Sequence, residues 1–413
     1  MDIILGPTLE LHRGMHGSLL DHPPPGVTYL QPSHRYRYRF RAKPFPPNPF
    51  DRLAVDEAVA FDAPGAVAVH ACRVPVDNRG SWVVDHDDFI AALRYGQFFA
   101  VGSERTIRRS GVDEATLQLR QRHLLSRYLE PRCRAVLFWT EYARRSALRY
   151  LRAANLCTGA AFETFAAKSD VIYPAVQARP ATTHTGGVVR VLYSGRTFDD
   201  KGGELALDVF NQLSERFGDA VRLTVVGASC ASVGERQGVN VVPLLPRDEY
   251  LALVADSQIF FSPTLFESFG MALLEAAAAG LAIVTSCGAG MEHVSEMFED
   301  GRHACLVPNE WSYEAKVGAY VSLLERLIAD AGCRREMGAE ARSLVEVGPF
   351  SIEKRNRALW AHYERLAEPS GLPAPAPPLV TRYKLETREF SEEYCAMEIA
   401  SRHPGAAAVR IHL

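Results

Sequence analysis

Two glutamates, Glu267 and Glu275, stand with seven residues between them in the run from Phe261 to Thr285, FSPTLFESFGMALLEAAAAGLAIVT. A short apolar run, a polar turn and an alanine-rich run read as strand, loop and helix, the helix opening around Ser268, Phe269, Gly270 and Met271. Free backbone N–H groups at such an opening form an anion site. Gly270 has no Cβ, so a phosphate can come close to the backbone. Glu275 lies inside the helix beside Leu273, Leu274 and four consecutive alanines, so the helix is apolar nearly all round. A carboxylate in that setting needs a partner. One carboxylate can accept two hydrogen bonds from a vicinal diol such as a ribose; a solvated helix edge is the plainer alternative. Glu267, in the loop, could do the same for a sugar ring.

Upstream, VLYSGRTFDDKGGELAL sets Gly195, Arg196, Lys201 and Gly202 between a strand and a helix. Two cations beside a helix opening suit a bound anion. A solvated loop is the competing reading of the two cations.

Taken together, PTLFESFGMALLEAAAAG, the Gly-Arg and Lys-Gly element, and Gly288-Ala289-Gly290 with Glu292 ahead of DGRHACLVP resemble the signature of family-four retaining glycosyltransferases. The likeness covers Val188 to about Val347 well and the first half loosely. It implies the GT-B fold, two Rossmann-like doubly wound parallel-sheet domains facing each other across a cleft. It further implies that Arg196 and Lys201 hold the donor diphosphate and that Glu267 faces the transferred sugar. Gly195 and the backbone of Ser268 to Met271 would surround phosphate and sugar, and Glu275 would take the ribose hydroxyls. The base would lie near Val242 to Leu245. Family members carry a Gly-rich loop after the first strand, for which Gly14-Met15-His16-Gly17 is the candidate, although the usual Gly-Gly doublet is absent. They also carry a cleft histidine at a strand end. His86, in SWVVDHDDF, is the better match and His70, ending AVAVH, the rival.

Asp85, Asp87 and Asp88 could hold a divalent ion between phosphates, but clustered acids at a strand end serve more often as a helix cap or a solvated turn. The same holds for Asp199 and Asp200. Since the resembling enzymes generally need no metal, neither metal nor cofactor is expected, only a nucleoside-diphosphate sugar as donor substrate. The run Arg35-Tyr36-Arg37-Tyr38-Arg39-Phe40-Arg41 alternates at period two, with arginines on one face. A solvated edge strand is one reading; an anionic acceptor or peripheral contact with an acidic membrane is the other.

These residues must be positioned by the elements around them. From Val188 onward, short Val/Ile/Leu runs alternate with helical stretches, the pattern of a parallel sheet covered on both faces. In the first half, strands are expected at Asp2–Leu5, Val27–Leu30, Ala66–His70, Trp82–Val84 and Ala135–Trp139, with helices at Thr116–Leu129 and Tyr142–Ala154. The polar stretch Gln177–Gly187 reads as a linker. The expected domains are 1–180 for the acceptor, 188–350 for the nucleotide sugar, and 351–413 as a helix and tail packing back on the first.

The 413 residues suit about two to three domains. A net charge of -3 argues against nucleic acid as a partner. The eight cysteines form no CxxC pair, so zinc and a disulfide framework are not indicated. The chain opens without a basic-then-apolar leader and holds no membrane-length apolar run, so a cytoplasmic location is expected. The predicted activity is transfer of a sugar, with retention, from a nucleotide-sugar donor to a saccharide, lipid-linked or small-molecule acceptor. A non-catalytic sugar-nucleotide-binding scaffold and a hydrolytic or phosphorolytic relative are the alternatives. A dinucleotide dehydrogenase is disfavoured because no GxGxxG follows a strand.

Overall fold

The computed structural model describes residues 1–6, 11–12, 14–30, 36–37, 59–61, 68–73, 75–77, 80–95, 114–179, 187–195, 198–227 and 238–367. Arg196, the side chains of the Arg35–Arg41 run and the tail from residue 380 lie outside them. The chain divides into two compact units: Met1–Ile172 with the chain that returns at Asn356, and Tyr173–Arg355.

The first unit runs β1 (Asp2–Gly6), α1 (Met15–Asp21), β2 (Thr28–Leu30), β3 (Tyr36–Arg37), β4 (Val59–Phe61), β5 (Ala68–Cys72), β6 (Val76–Asp77), β7 (Trp82–His86), α2 (Phe89–Tyr95), α3 (Glu114–Leu129), β8 (Cys133–Phe138), α4 (Glu141–Ala153), α5 (Gly159–Lys168) and β9 (Ser169–Val171). Six strands form a parallel sheet in the order β2-β1-β5-β7-β8-β9, and β3, β4 and β6 form a small separate sheet. Trp82 and Val84 alternate along β7 onto one face, where Phe89, Tyr128, Phe138 and Phe165 complete the core.

The second unit runs β10 (Val189–Ser194), α6 (Gly203–Phe217), β11 (Val221–Val226), β12 (Val239–Val242), α7 (Arg247–Ala255), β13 (Ile259–Ser262), α8 (Met271–Ala279), β14 (Ala282–Cys287), α9 (Val294–Met297), β15 (Cys305–Pro308), α10 (Tyr313–Ala329) and α11 (Ala331–Glu346). Its parallel sheet has the order β12-β11-β10-β13-β14-β15. In its own count that is 3-2-1-4-5-6, the doubly wound order whose direction reverses between β10 and β13, and ligands bind outside the strand carboxyl ends at that reversal. Continuous apolar strands such as β13, buried along its whole length, suit a sheet covered on both faces.

The division falls at Ile172/Tyr173, ahead of the polar stretch, because the segment after it is bound to the second unit. The Tyr173 hydroxyl donates to Glu296 at 2.6 Å, its ring packs against Phe350, and Arg179 N–H donates to the Ala278 carbonyl. The helix α12 (Ile352–Glu364) carries the chain back to the first unit. There the Asn356 amide donates to the His22 and Pro23 carbonyls, and Trp360 lies against Gly26.

Candidate functional site

At the reversal in the second sheet, the loops leaving β10 and β13 are in close contact. Gly202 caps α6 at φ +68, and a Cβ there would run into the Pro263 carbonyl, so both its conformation and its space require glycine. Leu265 N–H donates to the Asp200 carbonyl at 3.0 Å. These contacts bring Lys201 against Glu267, with Nζ 2.5 Å from Oε2, and Lys201 also donates to the Phe266 carbonyl. Both side chains are part-buried, so the pair stands at the surface of the loops rather than in the core.

Gly270, at φ +84, precedes α8, and no side chain caps the helix. The Leu273 N–H is taken by the Gly270 carbonyl at 2.9 Å, and the Met271 and Ala272 N–H groups ahead of it form the opening that can meet an anion beside the Lys201–Glu267 pair. Gly195 follows β10 with its N–H on the Val226 carbonyl, and a Cβ there would crowd Lys201 and Tyr193. Ser268 and Met271 flank the opening, while Phe269 is buried and stacks on His293. Burial holds the His293 imidazole below the ordinary histidine value, against the pull of the nearby Glu267.

Glu275 is 5% exposed within α8, and Arg247 answers its charge, with Nη1 2.5 Å from Oε1. Arg247 opens α7, two residues after the segment expected to face a base, and its side chain is 42% exposed. The buried carboxylate thus has a cation on its solvent side, which makes its retention in an alanine-rich helix tolerable. Sequence reasoning required a partner for Glu275 but did not find Arg247, since nothing in the local pattern marks it.

The first unit departs from expectation at two places. Gly14 precedes α1, but Met15, His16 and Gly17 are helical, so the expected Gly-rich loop is a helix start. Among the described residues nothing lies within 4 Å of a Cβ built on Gly17. His86 occupies the core face of β7, enclosed by Phe89, Tyr128 and Phe138 at ring separations of 5.1–6.4 Å. It is fully buried, and neither ring nitrogen has a partner among the described residues. Burial lowers its pKa to about 4, which keeps the imidazole neutral. It therefore offers no nitrogen to a sugar, and the expected cleft role does not fit this placement.

Asp85, one residue earlier, faces the other side and gathers the neighbouring histidines. The His16 Nδ1 accepts from His12 N–H at 2.6 Å, which leaves Nε2 to donate to Asp85 Oδ2 at 2.8 Å. His70 Nε2 donates to the same oxygen at 3.2 Å, and its Nδ1 accepts from the Tyr363 hydroxyl, itself 2.7 Å from that of Tyr29. Burial by itself would raise the Asp85 carboxyl, but the two imidazoles outweigh it and hold the group well below the usual carboxylate range. Asp87 lies 3.9 Å from Arg73. Asp88 accepts from Ala91 N–H in the first turn of α2, and burial pushes its carboxyl up to about 6. The three acids thus serve separate local partners, and among the described residues no three such side chains are grouped to hold a metal.

Residues 189–330 match the family model described as Glycosyl transferases group 1. The matched segment contains the Lys201–Glu267 pair, Gly270 and the Arg247–Glu275 pair. Among solved structures, Anabaena HepE in complex with UDP-glucose is similar at 12% identity and TM-score 0.53, over 88% of this chain and 99% of that one. Sucrose-phosphate synthase from Thermosynechococcus elongatus is similar at 18% identity and TM-score 0.50, over 72% of this chain and 73% of that one. The pneumococcal O-GlcNAc transferase GtfA in complex with UDP and GlcNAc is similar at 9% identity and TM-score 0.51, over 74% of this chain but only 57% of its own. No curated protein sequence matches the chain. At these identities the likeness is one of fold, and it agrees with the two parallel six-stranded sheets: the chain has the α/β architecture of GT-B glycosyltransferases. No helix among the described residues is long and apolar enough to cross a membrane.

Proposed function

We propose that this protein is a retaining glycosyltransferase that moves a hexose or hexosamine from a nucleoside-diphosphate sugar to an acceptor, in the cytoplasm and without a metal. The observation that carries the reading is the pairing of Lys201 with Glu267 beside the uncapped opening of α8, at the sheet's reversal. The diphosphate would lie on the Gly270 opening and draw Lys201 away from Glu267, joined by Arg196. Positive charge there stabilises the leaving group as the glycosidic bond breaks. Glu267, released from Lys201, would accept hydrogen bonds from the sugar hydroxyls. Glu275, oriented by Arg247, would accept from the ribose. The UDP-glucose bound to HepE and the UDP bound to GtfA belong to the same ligand chemistry. Retention would follow from front-face attack assisted by the leaving phosphate, since among the described residues no side chain near the pair is poised as a covalent nucleophile.

A thermal-shift panel of UDP-, GDP-, ADP- and dTDP-sugars tests the donor assignment. A true donor at 100 times its dissociation constant stabilises by about 2.7 kcal/mol. Lys201→Ala is expected to abolish that shift, and a shift that survives the change sinks the diphosphate assignment. Turnover followed by NMR of the product anomer then tests retention, an inverted product excluding it.

A further inference from the structure

Asn309, the residue after β15, stands where three loops meet. Its N–H donates to the Cys287 carbonyl at 2.9 Å, fixing it to the end of β14. Its side-chain Nδ2 lies 3.2 Å from the Thr264 carbonyl, 3.2 Å from that of Leu265 and 3.0 Å from that of Ala289. Only the NH2 end of an amide can face three carbonyl oxygens, so the orientation of the side chain is determined by its surroundings. The next residue, Glu310, accepts from Ala289 N–H at 2.6 Å. The loop so fixed supplies the Gly290 carbonyl that accepts Glu267 N–H at 3.1 Å, and a Cβ on Gly290 would run into the Leu265 carbonyl. On its other side Leu265 N–H is held by Asp200, next in sequence to Lys201.

We propose that Asn309 is a positioning residue, holding the loops after β13 and β14 together so that Glu267 meets Lys201, and thereby setting affinity for a nucleoside-diphosphate sugar. The second half of this role rests on the sugar-nucleotide reading of the same site. The Asn309 amide donates to Leu265 on one side and to the Ala289–Gly290 turn on the other, and acts on Glu267 through these. The amide shares two hydrogens among three carbonyl oxygens, so removing it takes the donor from the junction of these loops at once.

Asn309→Asp keeps the shape but sets an anionic acceptor against three carbonyl oxygens, whereas Asn309→Ala only removes the donor. Amide hydrogen exchange is measured on the unliganded full chain for peptides covering Thr264–Gly270, with Val221–Val226 as the reference strand. Exchange in the loop is expected to rise about tenfold in Asn309→Asp and less in Asn309→Ala, the reference strand staying unchanged. Loop exchange within about twofold of the wild type in both variants overturns the proposal. Should Asn309→Asp loosen the reference strand as well, Asn309→Ala decides by the same criterion. In a second arm, UDP-glucose, GDP-glucose and ADP-glucose serve as probes, and the dissociation constant of whichever binds is expected to weaken about tenfold in Asn309→Asp. A loosened loop with unchanged affinity refutes the link to the site. If no probe binds the wild type, the sugar-nucleotide reading falls, while the exchange result still decides whether Asn309 positions the loop.

Discussion

His86 and Asp85 are neighbours on one strand and face opposite sides of it, and that half-turn of side-chain direction decides what each can do. His86 shares its face with Trp82 and Val84, within a cage of aromatic rings. Its pKa of about 4 lies below the ordinary value near 6.5, so the unfolded chain binds a proton that the folded one refuses. Its contribution to stability is whole above about pH 6.5 and is lost as pH falls toward 4, by up to about 3 kcal/mol. Asp88, raised to about 6, works in the opposite direction over much of the same range. His86→Phe should therefore gain stability over the wild type at pH 4.5 more than at pH 7.5, read from urea unfolding midpoints, and should leave donor binding unchanged. Loss of donor binding in that variant would return His86 to the site. At the other sheet, Glu267 is paired with Lys201 and, on the proposed reading, would compete with a diphosphate for it. Glu267→Gln removes the competitor, so a nucleoside diphosphate lacking the sugar should bind about two- to tenfold more tightly while sugar transfer falls. Calorimetric titration of the two proteins measures the first effect. Weaker binding of the bare diphosphate would mean that Glu267 supports that group rather than the sugar.

At the scale of elements, the site is made by loops whose approach depends on glycine. Gly202 at φ +68 lies so close to Pro263 that the β10 and β13 loops meet only without a Cβ. Gly202→Ala should cost about 1–3 kcal/mol from the left-handed backbone alone, and more as the β13 loop is pushed away from Lys201. The loss should appear both in the unfolding free energy and in donor affinity; a variant with native affinity would show that the loops need not touch. Much of this element-scale arrangement was legible. The alternation after Val188 predicted a parallel sheet covered on both faces, because a buried parallel strand must be apolar along its length. β7 was legible too, and its period-two pattern, Trp82-Val84-His86 against Val83-Asp85-Asp87, already contains the signal that His86 shares the tryptophan's side. The start of α1 was not: Gly14 and Gly17 suggest a loop, but the His16–Asp85 bond, from 69 residues away, fixes a helix turn there.

For the whole molecule, what matters is where the chain returns. After the second unit, α12 brings Tyr363 into the first, where its hydroxyl donates to His70 and accepts from Tyr29. The two ends of the described chain are thereby joined through a buried polar path that ends on Asp85. Tyr363→Phe leaves the His70 Nδ1 without its donor and should cost about 1 kcal/mol. In calorimetry the transition of the unit that contains His70 should fall by about 2–4 °C, the other staying in place. A uniform drop of both would mean that the two units unfold together. The sequence by itself determined the doubly wound pattern and the glycine-bounded helix opening. Each of those follows from residues close in the chain, where hydrophobic period and backbone freedom act directly. Only the tertiary structure decided the partners: Arg247 for Glu275, Asn309 for three loop carbonyls, Asp85 for two histidines, and aromatic rings for His86. Those pairings depend on which loops the packed sheets bring together, a distance in space that spacing along the chain does not encode.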